Sequence, residues 1–68
     1  MTRLELLTTV ETMKRFGGSF VKAFAQTLFL ADEVNKERLT DAFPELIAQY
    51  GPGSTPYYKM TGIESIKD

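Results

Sequence analysis

Four carboxylates in the third predicted helix have the spacing that most suggests a binding site. They recur at every fourth position: Glu33, Glu37, Asp41 and Glu45. On one continuous helix, this spacing stacks the side chains in a single column of negative charge. The column predicts either a ridge that docks on a basic protein surface or a solvated outer face, and the net charge of −1 favours the solvated face.

A second candidate, for anion binding, lies at the turn between the first two predicted helices. Its residues are Lys14, Arg15, Gly18 and Ser19. Two cations next to the free N–H groups of a helix start suit an anion. The turn lacks the full glycine-and-lysine pattern of a P-loop, and no predicted strand precedes it. An ordinary helix–helix turn with charged ends is therefore the favoured interpretation.

The composition argues against catalysis. The chain has no Cys and no His, so the commonest general base and the common nucleophilic pairs are missing. Its hydroxyl groups have no activating partner that spacing reveals. We therefore expect no enzyme activity, no cofactor and no metal site. Disulfides and ordinary zinc sites are excluded as sources of stability for the same reason.

The length of 68 residues allows one small domain, whose core only about balances the conformational entropy lost on folding. An apolar content of 43% with 25% charged residues is typical of a globular chain. No apolar run approaches the roughly 20 residues that span a bilayer, and no signal peptide opens the chain. We expect a cytoplasmic protein with no membrane contact.

Capping signals divide the first half into two helices. Thr2 and Glu5 fit a capping box for a helix that ends near Phe16. Gly17 and Gly18 then predict a left-handed C-cap. Ser19 is the predicted N-cap of a second helix over about residues 20–31. That helix is apolar nearly all round, so we expect it to be the most buried element.

A third helix begins after the predicted N-cap Asp32 and meets Pro44 part-way along an apolar stripe that runs from Leu39 to Tyr50. Pro44 must either kink this helix or start a new one at its first position. The predicted fold is all-α: two helices and a third kinked or broken at Pro44. Residues 1–53 form the helical domain. Residues 54–68 form an irregular C-terminal arm that is not an independent domain.

Self-association is the expected source of extra stability, because one short chain does not easily enclose the second helix and an apolar arm. A symmetric dimer is the commonest arrangement. Its candidate contacts are Ala23, Leu30, Tyr57, Tyr58 and Met60. The alternative is a monomer in which the arm folds back over its own core.

Several segments resemble a known group of proteins. They are the run from Glu11 to Ala23 with its Phe-Gly-Gly-Ser-Phe-Val turn, Ala31-Asp32, Arg38-Leu39, the run from Ala42 to Glu45, and Gln49-Tyr50-Gly51. Together they resemble short uncharacterised helical proteins encoded in bacteriophage and prophage genomes, over about residues 10–51. Glu33 stands where a proline would be a natural first helical residue. The resemblance implies a phage origin and carries no activity, cofactor or site.

Two functions follow as expectations. The first is a small non-enzymatic protein-interaction module, encoded by a phage, that binds and occludes a host or competing protein. The alternative is a nucleic-acid-associated regulator that uses the basic N-terminal half, with Arg3, Lys14, Arg15 and Lys22. A helix-turn-helix motif argues against this alternative. If its turn lies between the first two helices, the second helix would present apolar side chains to the DNA. If its turn lies between the second and third helices, the third helix would present carboxylates.

Overall fold

The computed structural model describes residues 1–62, which form five helices and no strand. In chain order they are α1 Arg3–Phe16, α2 Ser19–Leu30, α3 Glu33–Ala42, α4 Pro44–Tyr50 and α5 Thr55–Thr61. The prediction of an all-α fold is confirmed. Residues 63–68, the end of the predicted arm, lie outside the described residues.

Two of the predicted helix starts are confirmed by their hydrogen bonds. The backbone N–H of Thr2 donates to Glu5 Oε1 at 2.7 Å, and the N–H of Glu5 donates to Thr2 Oγ1 at 3.1 Å. Asp32 caps α3 by accepting from the N–H of Asn35 at 2.8 Å. Each cap satisfies backbone donors that a helix start leaves free.

The turn between α1 and α2 corrects two predictions. The N-cap of α2 is Gly18, with no side-chain cap bond, and Ser19 is already the first helical residue. Neither glycine is left-handed: Gly17 has φ −85° and Gly18 has φ −79°. Gly17 is required for a steric reason instead. A Cβ at this position would meet Val21 Cγ1, and would lie 2.6 Å from Val21 Cβ and 2.7 Å from Met13 O.

Pro44 breaks the third predicted helix into α3 and α4. Phe43 leaves the helical conformation with φ −129° and ψ 60°, and it is both the C-cap of α3 and the N-cap of α4. Pro44 takes the first position of α4, where its missing N–H costs no hydrogen bond. The apolar stripe nevertheless reaches one core on both sides of the break, because Leu46 and Tyr50 belong to that core and Leu39 packs against it.

The description of residues 54–68 as irregular is wrong for Thr55–Thr61, which form α5. Pro56 lies in the first turn of α5, where no intrahelical donor is needed, and therefore does not oppose the helix. Ser54 caps α5 by accepting from the N–H of Tyr57 at 3.3 Å. Its own hydroxyl donates to Gly51 O at 2.7 Å, which ties the start of α5 to the end of α4.

The core lies between α1, α2 and α4, and α5 packs against α1 and α4. Its buried side chains are Val10, Met13, Phe24, Ala25, Leu28, Leu46 and Tyr50. The expectation that the second helix is the most buried element is wrong within one chain. α1 buries four residues almost completely, whereas α2 leaves Phe20, Phe29 and Leu30 exposed. The reason is that α2 packs closely against α1 but only lightly against α3.

Candidate interaction surface

The four carboxylates predicted to form one column do not share one helix. Glu33, Glu37 and Asp41 lie on α3, whereas Glu45 lies in the first turn of α4, beyond the break at Phe43. All four are exposed. Glu33 is paired with Lys36 Nζ at 3.6 Å. The column is thus shorter than predicted, and its first member is partly neutralised.

The residues of the predicted anion site point to different neighbours. Lys14 Nζ lies 4.0 Å from Glu11 Oε2 and 5.4 Å from the centre of the Phe29 ring. Arg15 lies over the ring of Phe16, at 5.8 Å. Gly18 and Ser19 begin α2. Lys14 therefore already has a carboxylate and an aromatic partner on its own chain, which weakens the case for an anion site.

The five predicted dimer contacts separate into two groups. Ala23 and Leu30 are exposed on α2. Tyr57, Tyr58 and Met60 lie on α5, where Tyr57 is buried within its own chain and the other two are half-buried. For residues 55–61 the structure thus follows the alternative, in which the arm folds back over its own core.

An apolar row runs along the solvent side of α2. It consists of Phe20, Ala23, Thr27 and Leu30, and we call it the outer stripe. The spacing of three, four and three residues places these side chains on one face of the helix. All four are exposed, with Leu30 at 70% and Phe20 at 62%. Phe24, Ala25 and Leu28 of the same helix are buried, and Phe20 borders this buried face, because its ring and that of Phe24 both lie near the ring of Phe43.

A groove of about 650 Å³ adjoins the outer stripe between α2 and α3. On the α2 side it is lined by Thr27, Leu30 and Ala31. On the α3 side it is lined by Asn35, Arg38, Leu39 and Ala42. Val34 directly precedes one of the α3 residues that line this groove, and it is a further apolar residue whose side chain is 63% exposed.

The polar residues that line the groove are Thr27 on α2 and Asn35 and Arg38 on α3. Arg38 is exposed and takes part in neither of the ion pairs found within residues 1–62. Thr27 has its hydroxyl engaged, because Oγ1 donates to Ala23 O at 3.0 Å. A predominantly apolar groove with a small number of polar groups is typical of a surface that receives another molecule.

Other classes of site are not seen in the described part of the chain. No group of three or more carboxylates within residues 1–62 is placed to hold a metal ion. None of the helices described has both the length and the apolar character needed to cross a membrane. Comparisons with protein-family models, with curated proteins and with solved structures each give no match for this chain.

Sequence reasoning found half of the outer stripe and missed Phe20 and Thr27. Neither Phe20 nor Thr27 is among the candidate contacts that the sequence predicts. The signal that would have found them is the spacing of three, four and three, which picks out one helix face regardless of polarity.

Proposed function

We propose that this protein is a non-enzymatic interaction module that binds another protein through the outer stripe of α2 and the adjoining groove. The observation that carries this proposal is the outer stripe itself, whose two large apolar side chains, Phe20 and Leu30, are each more than 60% exposed. Contiguous apolar surface of this kind is rare on soluble monomers and commonly marks a site of protein binding.

The composition of α2 supports the same proposal. Lys22 is the only charged residue between Ser19 and Leu30, and it is not part of the outer stripe. A face without charges loses little hydration energy when a partner covers it. An apolar groove between two helices is one of the surfaces on which an amphipathic helix binds.

The mode of action we propose is occlusion. A chain of 68 residues whose main surface feature is an apolar helix face acts on a partner by covering part of the partner's surface. The resemblance to phage and prophage proteins makes a bacterial host factor, or a protein that competes with the phage, the expected target.

The alternative of a nucleic-acid regulator receives less support. Lys14, one of its four basic residues, is engaged by Glu11 and Phe29. Binding to duplex DNA that weakens steeply with salt would revive this alternative, because phosphate contacts release counterions. A gel shift at low and high salt measures this directly, and we expect no shift at either.

Site-specific photo-crosslinking in bacterial cells tests the proposed function. A benzophenone amino acid replaces Leu30 in one variant and Leu4 in a control, because both leucines are exposed, at 70% and 73%. We expect position 30 to give a discrete adduct with another protein and position 4 to give none. Equal labelling at both positions, or an adduct at position 30 only with a second copy of this chain, would contradict occlusion of a partner protein.

A further inference from the structure

We propose that a second copy of this chain covers the outer stripe, with the two α2 helices antiparallel across a two-fold axis. This inference rests on the proposed function for the location of the binding surface, and it names one occupant of that surface. The occupant is deduced from register, from the polar groups of the stripe and from charge.

The register of the outer stripe is self-complementary. Its spacing of three, four and three residues is the same in both chain directions. In an antiparallel pair, Phe20 of one copy therefore lies opposite Leu30 of the other, and Ala23 lies opposite Thr27. Small residues then meet at the centre of the contact, where the helices approach most closely, and large apolar residues meet at its two ends. One patch that matches itself in this way is what a two-fold interface requires.

Covering the stripe leaves no polar group of its side chains without a partner. Thr27 is its only polar member, and the hydroxyl already donates to Ala23 O at 3.0 Å within the helix. A buried polar group is costly only when it loses its hydrogen bond. The remaining three side chains are apolar, so the surface tolerates burial along its whole length.

Charge fixes the orientation of the pair. Arg15 precedes the Phe20 end of the stripe and forms no ion pair within the described residues. The Leu30 end leads into α3, which with its cap carries four carboxylates against two cations, Lys36 and Arg38, so residues 32–42 have a net charge of −2. An antiparallel pair brings the basic end of one copy to the acidic end of the other. A parallel pair would bring like charges together, which is unfavourable.

The dimer and the partner protein compete for one face. A chain in the dimer has its outer stripe covered, so binding to a partner requires the dimer to dissociate first. The concentration of the chain then sets how much of it is free to bind.

Sedimentation equilibrium at about 100 µM tests the dimer. The wild-type protein should have the mass of two chains of 7.7 kDa each. Leu30→Lys should give a single chain, since it places a cation next to Arg15 of the other copy, and the matched control Leu4→Lys should stay dimeric. A monomeric wild type, or an equal loss of dimer in both variants, would overturn the proposal. A monomer whose position 30 still crosslinks to another protein would overturn the dimer and leave the proposed function standing.

Disulfide formation tests the orientation, and the absence of native cysteine makes the result simple to interpret. Ala23→Cys and Thr27→Cys proteins, one of them carrying a mass tag, are mixed and oxidised. An antiparallel pair should give mixed 23–27 disulfides. Same-site disulfides are not expected. The two copies of residue 23, or of residue 27, are offset by about 6 Å along the helix axes, and the axes are themselves about 8–10 Å apart, so the two Cα atoms are too far apart for a disulfide. A product made mainly of 23–23 and 27–27 disulfides would overturn the antiparallel arrangement.

Discussion

Gly17 and Gly18 are adjacent and both extended, yet they serve different purposes. At Gly17, backbone and side-chain atoms of α1 and α2 fill the space that a Cβ would need. At Gly18, nothing lies within 4 Å of a Cβ, and the helix start that it caps has no side-chain acceptor. One position needs glycine for its size, whereas the other would accept a larger residue.

The same substitution should therefore have opposite effects at the two positions. Gly17→Ser should cost about 1–3 kcal/mol, because Val21 or the carbonyl of Met13 must move. Gly18→Ser should add about 0.5–1 kcal/mol, because the hydroxyl caps α2 and the unfolded chain loses freedom. Thermal melting measures both, at about 4–8 °C per kcal/mol. A fall in the midpoint of Gly18→Ser, or no change in that of Gly17→Ser, would contradict this account.

The buried threonines of α1 show that residue type alone does not identify every residue of the buried face. Thr9 and Thr12 are fully buried, and their hydroxyls donate to Glu5 O and Thr8 O, each at 2.7 Å. These bonds return the polar group to the helix and leave a methyl group for packing. Val10 and Met13 are buried on the same helix and are apolar, as an apolar pattern requires, but such a pattern has no means of adding residues whose polarity is cancelled within the helix.

At the scale of elements, Pro44 separates two helices that share one core. The break lies at Phe43, whose ring packs edge-on against Phe24 with the ring centres 5.1 Å apart. Phe20 lies 6.1 Å from the same ring. The aromatic contact holds the junction between α3 and α4 against α2, so the proline is not needed to set the direction of the chain.

Pro44→Ala should accordingly change the free energy of unfolding by no more than about 1 kcal/mol, because alanine suits the first position of α4. The only loss is the restriction that proline places on the unfolded chain. Leu46→Ala, in the same helix, is the control for the contribution of α4. It should cost about 2–5 kcal/mol because Leu46 is buried. Melting midpoints compare the two. A Pro44→Ala midpoint as low as that of Leu46→Ala would show that the proline itself holds the junction.

α5 should contribute to the stability of each chain. Tyr57→Ala removes a buried ring and should cost about 3 kcal/mol or more. Lys59→Ala, on the exposed side of the same helix, should lie within about 0.5 kcal/mol of the wild type. Urea unfolding followed by circular dichroism gives both values. Equal stability of the two variants would mean that α5 does not pack on its own chain.

Helix boundaries could be predicted where a local rule governs them. Thr2 with Glu5, and Asp32, satisfy the donors of the helix that follows, so their effect is contained in a few adjacent residues. α5 could not be predicted in the same way. Its seven residues have no clear apolar period, and it is stabilised by packing against α4 and against α1, which is distant in sequence.

At the scale of the whole molecule, the sequence predicted more apolar surface than one chain encloses, and the structure locates that surface on α2. The C-terminal arm does not form the dimer contact expected of Tyr57, because this residue is buried within its own chain. Folding back of α5 covers α1 and α4 but leaves the outer stripe open. Which face stays open depends on the packing of all five helices, and no local pattern contains that information.

The central claim is that the outer stripe of α2 is an interface closed by a second copy, and the concentration dependence of thermal melting tests it most directly. A dimer that unfolds to separate chains gains stability with concentration. For two chains of 68 residues, a hundredfold increase from about 5 to 500 µM should raise the midpoint by about 9 °C. Leu30→Lys should melt at one temperature throughout this range, whereas Leu4→Lys should follow the wild type. A wild-type midpoint that does not change with concentration would contradict the claim.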